Sequence, residues 1–202
     1  MRRFIVPIIV VPMLLLALAV PTLAATGPRE SGTYMSFSSY STVCTEGGSP
    51  TCTDTSLDAF SISPDTIQVC VSTYTYSTRT YRTISQESGC TETSSDALTF
   101  TGDFTVSLAD TSVTVSEYSC GPRRCTEGAS RTITVSASDS AVGEIFTSTS
   151  RGTFSDGTCT SRYSSTDKSA ELAGTMTIDG VTMDQMGWGS ISEYTVSTRC
   201  RT

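Results

Sequence analysis

The chain has 202 residues, a formal net charge of -7 and no histidine. The missing histidine removes Ser-His-Asp and Cys-His catalysis together with every His-ligated metal site. A single lysine, Lys168, leaves almost no scope for Schiff-base chemistry, and the acidic balance speaks against nucleic acid or an anionic membrane as partner. Asparagine is absent, so the chain has no N-glycosylation sequon and no Asn-Gly hairpin turn. Serine and threonine make up roughly a third of the residues, far above ordinary globular usage.

Residues 1–25 read as a secretory signal peptide: a basic start at Met1-Arg2-Arg3, an apolar run from Phe4 to Val20, and a small-residue exit at Thr22-Leu23-Ala24-Ala25. The run carries Pro7 and Pro12 and no stop-transfer flank, which favours cleavage over a membrane anchor. Residues 26–202 are then a single domain of roughly 175–180 residues, expected outside the cell or in a periplasm without stable membrane insertion. Losing both early arginines makes this mature chain more acidic.

Along that domain, short alternating runs of Val, Ile, Thr, Tyr and Phe recur between turn signals, with almost no helical periodicity. Ile67, Val69 and Val71 share one face, followed by Leu98, Phe100, Phe104, Val106 and Leu108, with Gly102 and Asp103 between them. Ile133, Val135 and Ala137 form another set, as do Leu172, Met176 and Ile178. Ser63 to Thr66, Ala109 to Thr111 and Ser150 to Gly152 read as short connections, and Thr91 to Asp96 and Asp179 to Gly189 as longer loops. The pattern predicts an all-β, antiparallel meander of about ten strands.

The two halves, about 33–110 and 111–202, read as an internal duplication. The segment with Cys44 and Cys52 matches that with Cys120 and Cys125. Thr66 onward matches Ala141 onward, aligning Cys90 with Cys159, and residues 97–111 match residues 170–184. Five strands twice, joined by hairpins, give a closed or nearly closed barrel, with a two-sheet β-sandwich as the alternative; closure removes exposed edges.

Eight cysteines in an exported chain imply a disulfide framework, for which 105 pairings exist. Cys44–Cys52 and Cys120–Cys125 each flank a tight turn, at the base of a hairpin. Cys70–Cys90 flank a hairpin turning near Arg79, leaving Cys159–Cys200; Cys70–Cys200 with Cys90–Cys159 is the alternative that staples the halves together. No cofactor and no metal is implied, since zinc-type cysteine spacing and a calcium loop are both missing.

Four features carry possible chemistry. The loop Gly121-Pro122-Arg123-Arg124 between Cys120 and Cys125 suits a rigid inhibitor of a trypsin-like protease, or is merely a solvated turn. Glu117 and Glu193 occupy matching Ser-Glu-Tyr positions and suggest a carboxylate pair pointing into a barrel, the basis of a hydrolase, unless they only face solvent. Paired threonines such as Thr132 and Thr134 put hydroxyls on one face, which β-propensity explains without function. Trp188, the sole tryptophan, lies between Gly187 and Gly189 and either meets a ligand near a barrel mouth or plugs the core. Tyr74 and Tyr76 cluster near one turn. The expectation is a non-enzymatic β-domain binding an extracellular small molecule, glycan or protein surface, with Trp188, Tyr74, Tyr76, Glu117 and Glu193 as ligand residues. A serine-protease inhibitor presenting Pro122, Arg123 and Arg124, or a carboxylate-dependent hydrolase, is the alternative.

Overall fold

A computed structural model describes residues 29–47, 49–121 and 124–200. The proposed signal peptide, and Pro122 and Arg123 of the proposed inhibitor loop, lie outside the described residues. Among the described residues ten strands follow in chain order: β1 (Glu30–Thr45), β2 (Thr51–Ser63), β3 (Thr66–Ser77), β4 (Thr83–Ser94), β5 (Leu98–Phe100), β6 (Thr105–Cys120), β7 (Cys125–Ala141), β8 (Phe146–Ser155), β9 (Cys159–Ile178) and β10 (Val181–Cys200). One 3-10 turn, Ser95–Ala97, links β4 to β5.

All pairings are antiparallel and run β10-β1-β2-β3-β4-β6-β7-β9, with β9 pairing back to β10 to close a ring. β5 and β8 lie outside this circuit, against β6 and β9. The ring is not an even barrel. β9 and β10 pair along all twenty residues of β10, whereas β4 meets β6 only through residues 85–88 against residues 116–119. Gly89 marks where that seam opens. A Cβ there would land on the Thr114 carbonyl oxygen, so only glycine lets the two backbones cross.

Inward positions alternate as the period of two requires. Phe37, Leu57, Val69, Val106, Val113, Val115, Ile133, Val135, Leu172 and Met176 fill the ring as one core. Outward positions carry hydroxyls that pair across strands, such as Ser36 with Ser190 at 2.7 Å and Thr177 with Thr182 at 2.9 Å. Much of the serine and threonine content is therefore sheet construction.

Cys44–Cys52, Cys70–Cys90, Cys120–Cys125 and Cys159–Cys200 are bonded, each across one hairpin with Cα atoms 3.9 to 4.1 Å apart. The alternative that would staple the halves together, Cys70–Cys200 with Cys90–Cys159, is not formed, and the four bridges point to an oxidising compartment. Among the described residues no helix is long and apolar enough to cross a membrane. The boundary expected between the two halves, at residues 110 and 111, falls within β6, and Cys90 bonds to an earlier cysteine whereas Cys159 bonds to a later one.

Several connections differ from the sequence expectation. Asp179 to Gly189 is no long loop: Asp179 and Gly180 (φ 52 and 81) form a two-residue hairpin turn, and β10 begins at Val181. Asp-Gly supplies here the positive dihedrals that Asn-Gly often supplies. Thr91 to Ser94 completes β4, where polar residues on both faces hide the alternation. Ala109 to Thr111 is a bulge inside β6 rather than a turn. Ser150 to Gly152 lies mid-strand in β8; its glycine sits beneath the Tyr163 ring.

Candidate functional site

Beyond the filled ring, β8, the first half of β9, the second half of β10 and the start of β1 continue as a four-stranded wing. None of residues 146–155, 159–169 or 190–200 is buried. The unbroken registers assign its two faces.

The outer face carries Trp188, Tyr194, Tyr34, Tyr163, Phe146 and Phe154, by alternation and cross-strand pairing. Trp188 is 40% and Phe146 58% exposed, and their rings stack 6.3 Å apart at an interplanar angle of 20°. Tyr34 and Tyr194 stack at 5.2 Å and 22°. Two glycines explain why the tyrosines lie against the sheet. A Cβ on Gly32 would meet the Tyr194 ring, 2.6 Å from its hydroxyl, and one on Gly152 would meet the Tyr163 ring. Each ring covers bare backbone, the arrangement that offsets glycine's weakness in a strand. Burial, and then Tyr34, push the Tyr194 phenol above its ordinary pKa. Serines fill the spaces between rings, and Asp167 accepts from Ser165 at 3.2 Å. From Trp188 to Tyr194 the row spans about 20 Å at roughly 3.3 Å per residue.

The inner face of the wing prolongs the core lining. Gly189 is buried, and a Cβ there would sit 2.9 Å from Leu172 and 3.2 Å from Phe100. Past it, Ile191, Glu193, Lys168, Thr147 and Thr166 line a cleft of about 380 Å³. Its opposite wall is the β5–β6 turn, where Phe100 and Phe104 meet edge to face at 5.4 Å. Phe104 is held at φ 61, an unusual conformation for a bulky residue, kept by its burial.

The sequence candidates are dispersed. Trp188 lies on a strand's outer face, neither in a loop nor plugging the core, because the glycines beside it point inward. Glu193 lines the cleft. Glu117 belongs to the other end of the ring, 3.7 Å from Arg131. The two glutamates therefore do not form a pair inside the barrel: the registers place Glu117 beside Glu87, and Glu193 beside Thr33. Tyr74 and Tyr76 are on β3, away from Trp188, with Tyr74 accepting from Gln86 at 3.2 Å. Arg124 is exposed beside the Cys120–Cys125 bridge, its carbonyl accepting from Gly121 at 2.9 Å. Sequence reasoning missed Phe146, Tyr34, Tyr194, Tyr163 and Lys168. The shared parity of Trp188 and Tyr194 was a usable signal, but the partner strands were not.

Among the described residues no group of three or more Cys, Asp or Glu side chains is placed to hold a metal ion. No protein-family model, curated protein or solved structure matches the chain.

Proposed function

We propose that the protein is an exported, non-enzymatic domain that binds a neutral glycan across the outer face of the wing. The observation that carries this reading is the row of exposed aromatic rings interleaved with serine hydroxyls on one sheet face. Rings lying down on a sheet offer their faces to the apolar side of a sugar, and neighbouring hydroxyls and carboxylates pair with sugar hydroxyls. Glu30, Asp167 and Glu171 share this face, which favours uncharged over acidic polymers.

The sole tryptophan reports directly. Neutral oligosaccharides, titrated against the purified mature protein, should change Trp188 emission, and insoluble neutral polysaccharides should deplete the protein from solution. Tyr34→Ala should weaken both effects about tenfold, or ~1.4 kcal/mol, and Trp188→Ala should weaken the depletion. Wild-type protein that ignores a panel of neutral polysaccharides would end this reading.

A second reading rests on the cleft, whose mixed lining and volume suit a small molecule. Native mass spectrometry separates the two: an added mass lost on denaturation and absent from Ile191→Trp supports the cleft.

A further inference from the structure

β8 is an edge strand. It pairs with β9 on one side, and its ten residues, Phe146 to Ser155, lie outside the ring circuit. Edge strands invite pairing unless lysine, proline, a bulge or a covering element blocks them. β8 has no lysine, proline or register break, and nearly all of it is exposed. Phe146 and Phe154, near its two ends, are among the most exposed large apolar residues of the protein.

The strand is also self-complementary. Set antiparallel to its own copy about Ser150, it places Phe146 opposite Phe154, Thr147 opposite Thr153, Ser148 opposite Gly152 and Thr149 opposite Arg151. Aromatic and threonine pairs are favoured cross-strand neighbours. The strand has no acidic residue, and the two Arg151 side chains fall on a diagonal, so like charges do not face each other directly. Backbone phase agrees. The Asp156 amide donates to the Cys159 carbonyl, so the even-numbered residues of β8 bond to β9. The amides and carbonyls of Thr147, Thr149, Arg151 and Thr153 then point to the free edge, and a two-fold at Ser150 matches each with a partner. A centre between two residues would face bonded groups toward the copy, and a centre at Arg151 keeps the phase but sets the two Arg151 side chains directly opposite each other.

We propose that two copies of this chain associate through antiparallel β8–β8 pairing about Ser150, joining their wings into one continuous sheet. The outer faces become contiguous, with Phe146 of each copy against Phe154 of the other. The inference does not depend on the glycan reading. If both hold, the dimer presents one doubled aromatic surface.

Ser150 faces itself across the axis, so single substitutions test the register. Light scattering coupled to size exclusion should find the wild-type protein dimeric. Ser150→Cys should form an interchain disulfide between the two introduced thiols under mild oxidation, located by peptide mapping. Ser150→Asp, which sets two carboxylates face to face, should run as a monomer at neutral pH and low salt, with native disulfides and unaltered far-ultraviolet circular dichroism. Thr149→Pro, which removes a free-edge donor but no bond to β9, should do the same. A wild-type monomer at every accessible concentration overturns the proposal. So does a dimer that persists in Ser150→Asp and Thr149→Pro and gives no crosslink in Ser150→Cys, since that places the interface elsewhere. Wild-type protein that is monomeric alone but captures an added extended peptide would make the edge a site for another partner, and also overturns it.

Discussion

Inside the ring, Gln185 of β10 donates its side-chain amide to the carboxylate of Asp139 on β7 at 2.5 Å, although the two strands do not pair with each other. Asp139 is 2% and Gln185 4% exposed, and among the described residues neither the other Asp139 oxygen, Oδ1, nor the Gln185 Oε1 receives a hydrogen bond. Burial raises the Asp139 pKa to about 6, against the opposing pull of Gln185.

That position makes stability depend on pH in a stated direction. The ordinary value is 3.8, so the native state holds this proton more tightly than the unfolded chain does. Its contribution is fully present below about pH 4 and is lost as pH rises through about 6. Asp58, also raised by burial, acts in the same direction. The Asp139 difference corresponds to about 3 kcal/mol. Asp139→Asn should flatten unfolding midpoints between pH 4 and 7 and raise stability at pH 7 by about 1–3 kcal/mol. Urea melts at four pH values check this, and an unchanged slope would assign the dependence to another group.

At the seam of the ring, Gly89→Ala should be severely destabilising, by about 2–4 kcal/mol. The added Cβ meets the Thr114 carbonyl, which is backbone and cannot swing aside. A control is Gly102→Ala, where a Cβ meets nothing within 4 Å. Equal melting temperatures for the two variants would show that the seam is not closed as described.

Arg131 ties four segments at the end of the ring away from the wing. Its guanidinium holds Glu87 through two bonds, at 2.7 and 3.0 Å, and Asp179 through a third at 2.6 Å, with Glu117 at 3.7 Å. Bonding to Glu87, then to Asp179, raises its pKa above an already high value. The side chain is partly exposed, so screening keeps Arg131→Ala to about 1 kcal/mol. Arg131→Lys should recover little of that, because an ammonium cannot reproduce the two-pronged bond. Denaturant melts at low and high salt test this, with the wild-type advantage shrinking as salt rises.

The disulfides should differ in worth. Cys159–Cys200 closes a sequence separation of 41 residues and Cys120–Cys125 one of 5. Loop-entropy reasoning makes removal of the longer one costlier by about 2 kcal/mol. Paired Cys→Ser variants, compared by denaturant melts, check the order.

Composition and period-two alternation were enough to establish an antiparallel all-β chain, about ten strands, and the two short-loop disulfides Cys44–Cys52 and Cys120–Cys125, because each depends on residues close in sequence; the pairing of Cys70, Cys90, Cys159 and Cys200 stayed open between two schemes. Ile67, Val69 and Val71 advertise their own face; Cys120 and Cys125 advertise their own turn. The Asp179-Gly180 turn was misread because Gly187, Gly189 and Gln185 interrupt the apolar signal at inward positions of β10. Partners far apart in sequence were left to the tertiary structure. The closure of β10 onto β1 puts Tyr34 beside Tyr194, and the long β9 brings Phe146 to Trp188. The same registers separate Glu117 from Glu193. Local sequence sets which face a side chain takes on its own strand, whereas register between distant strands sets which side chains share that face.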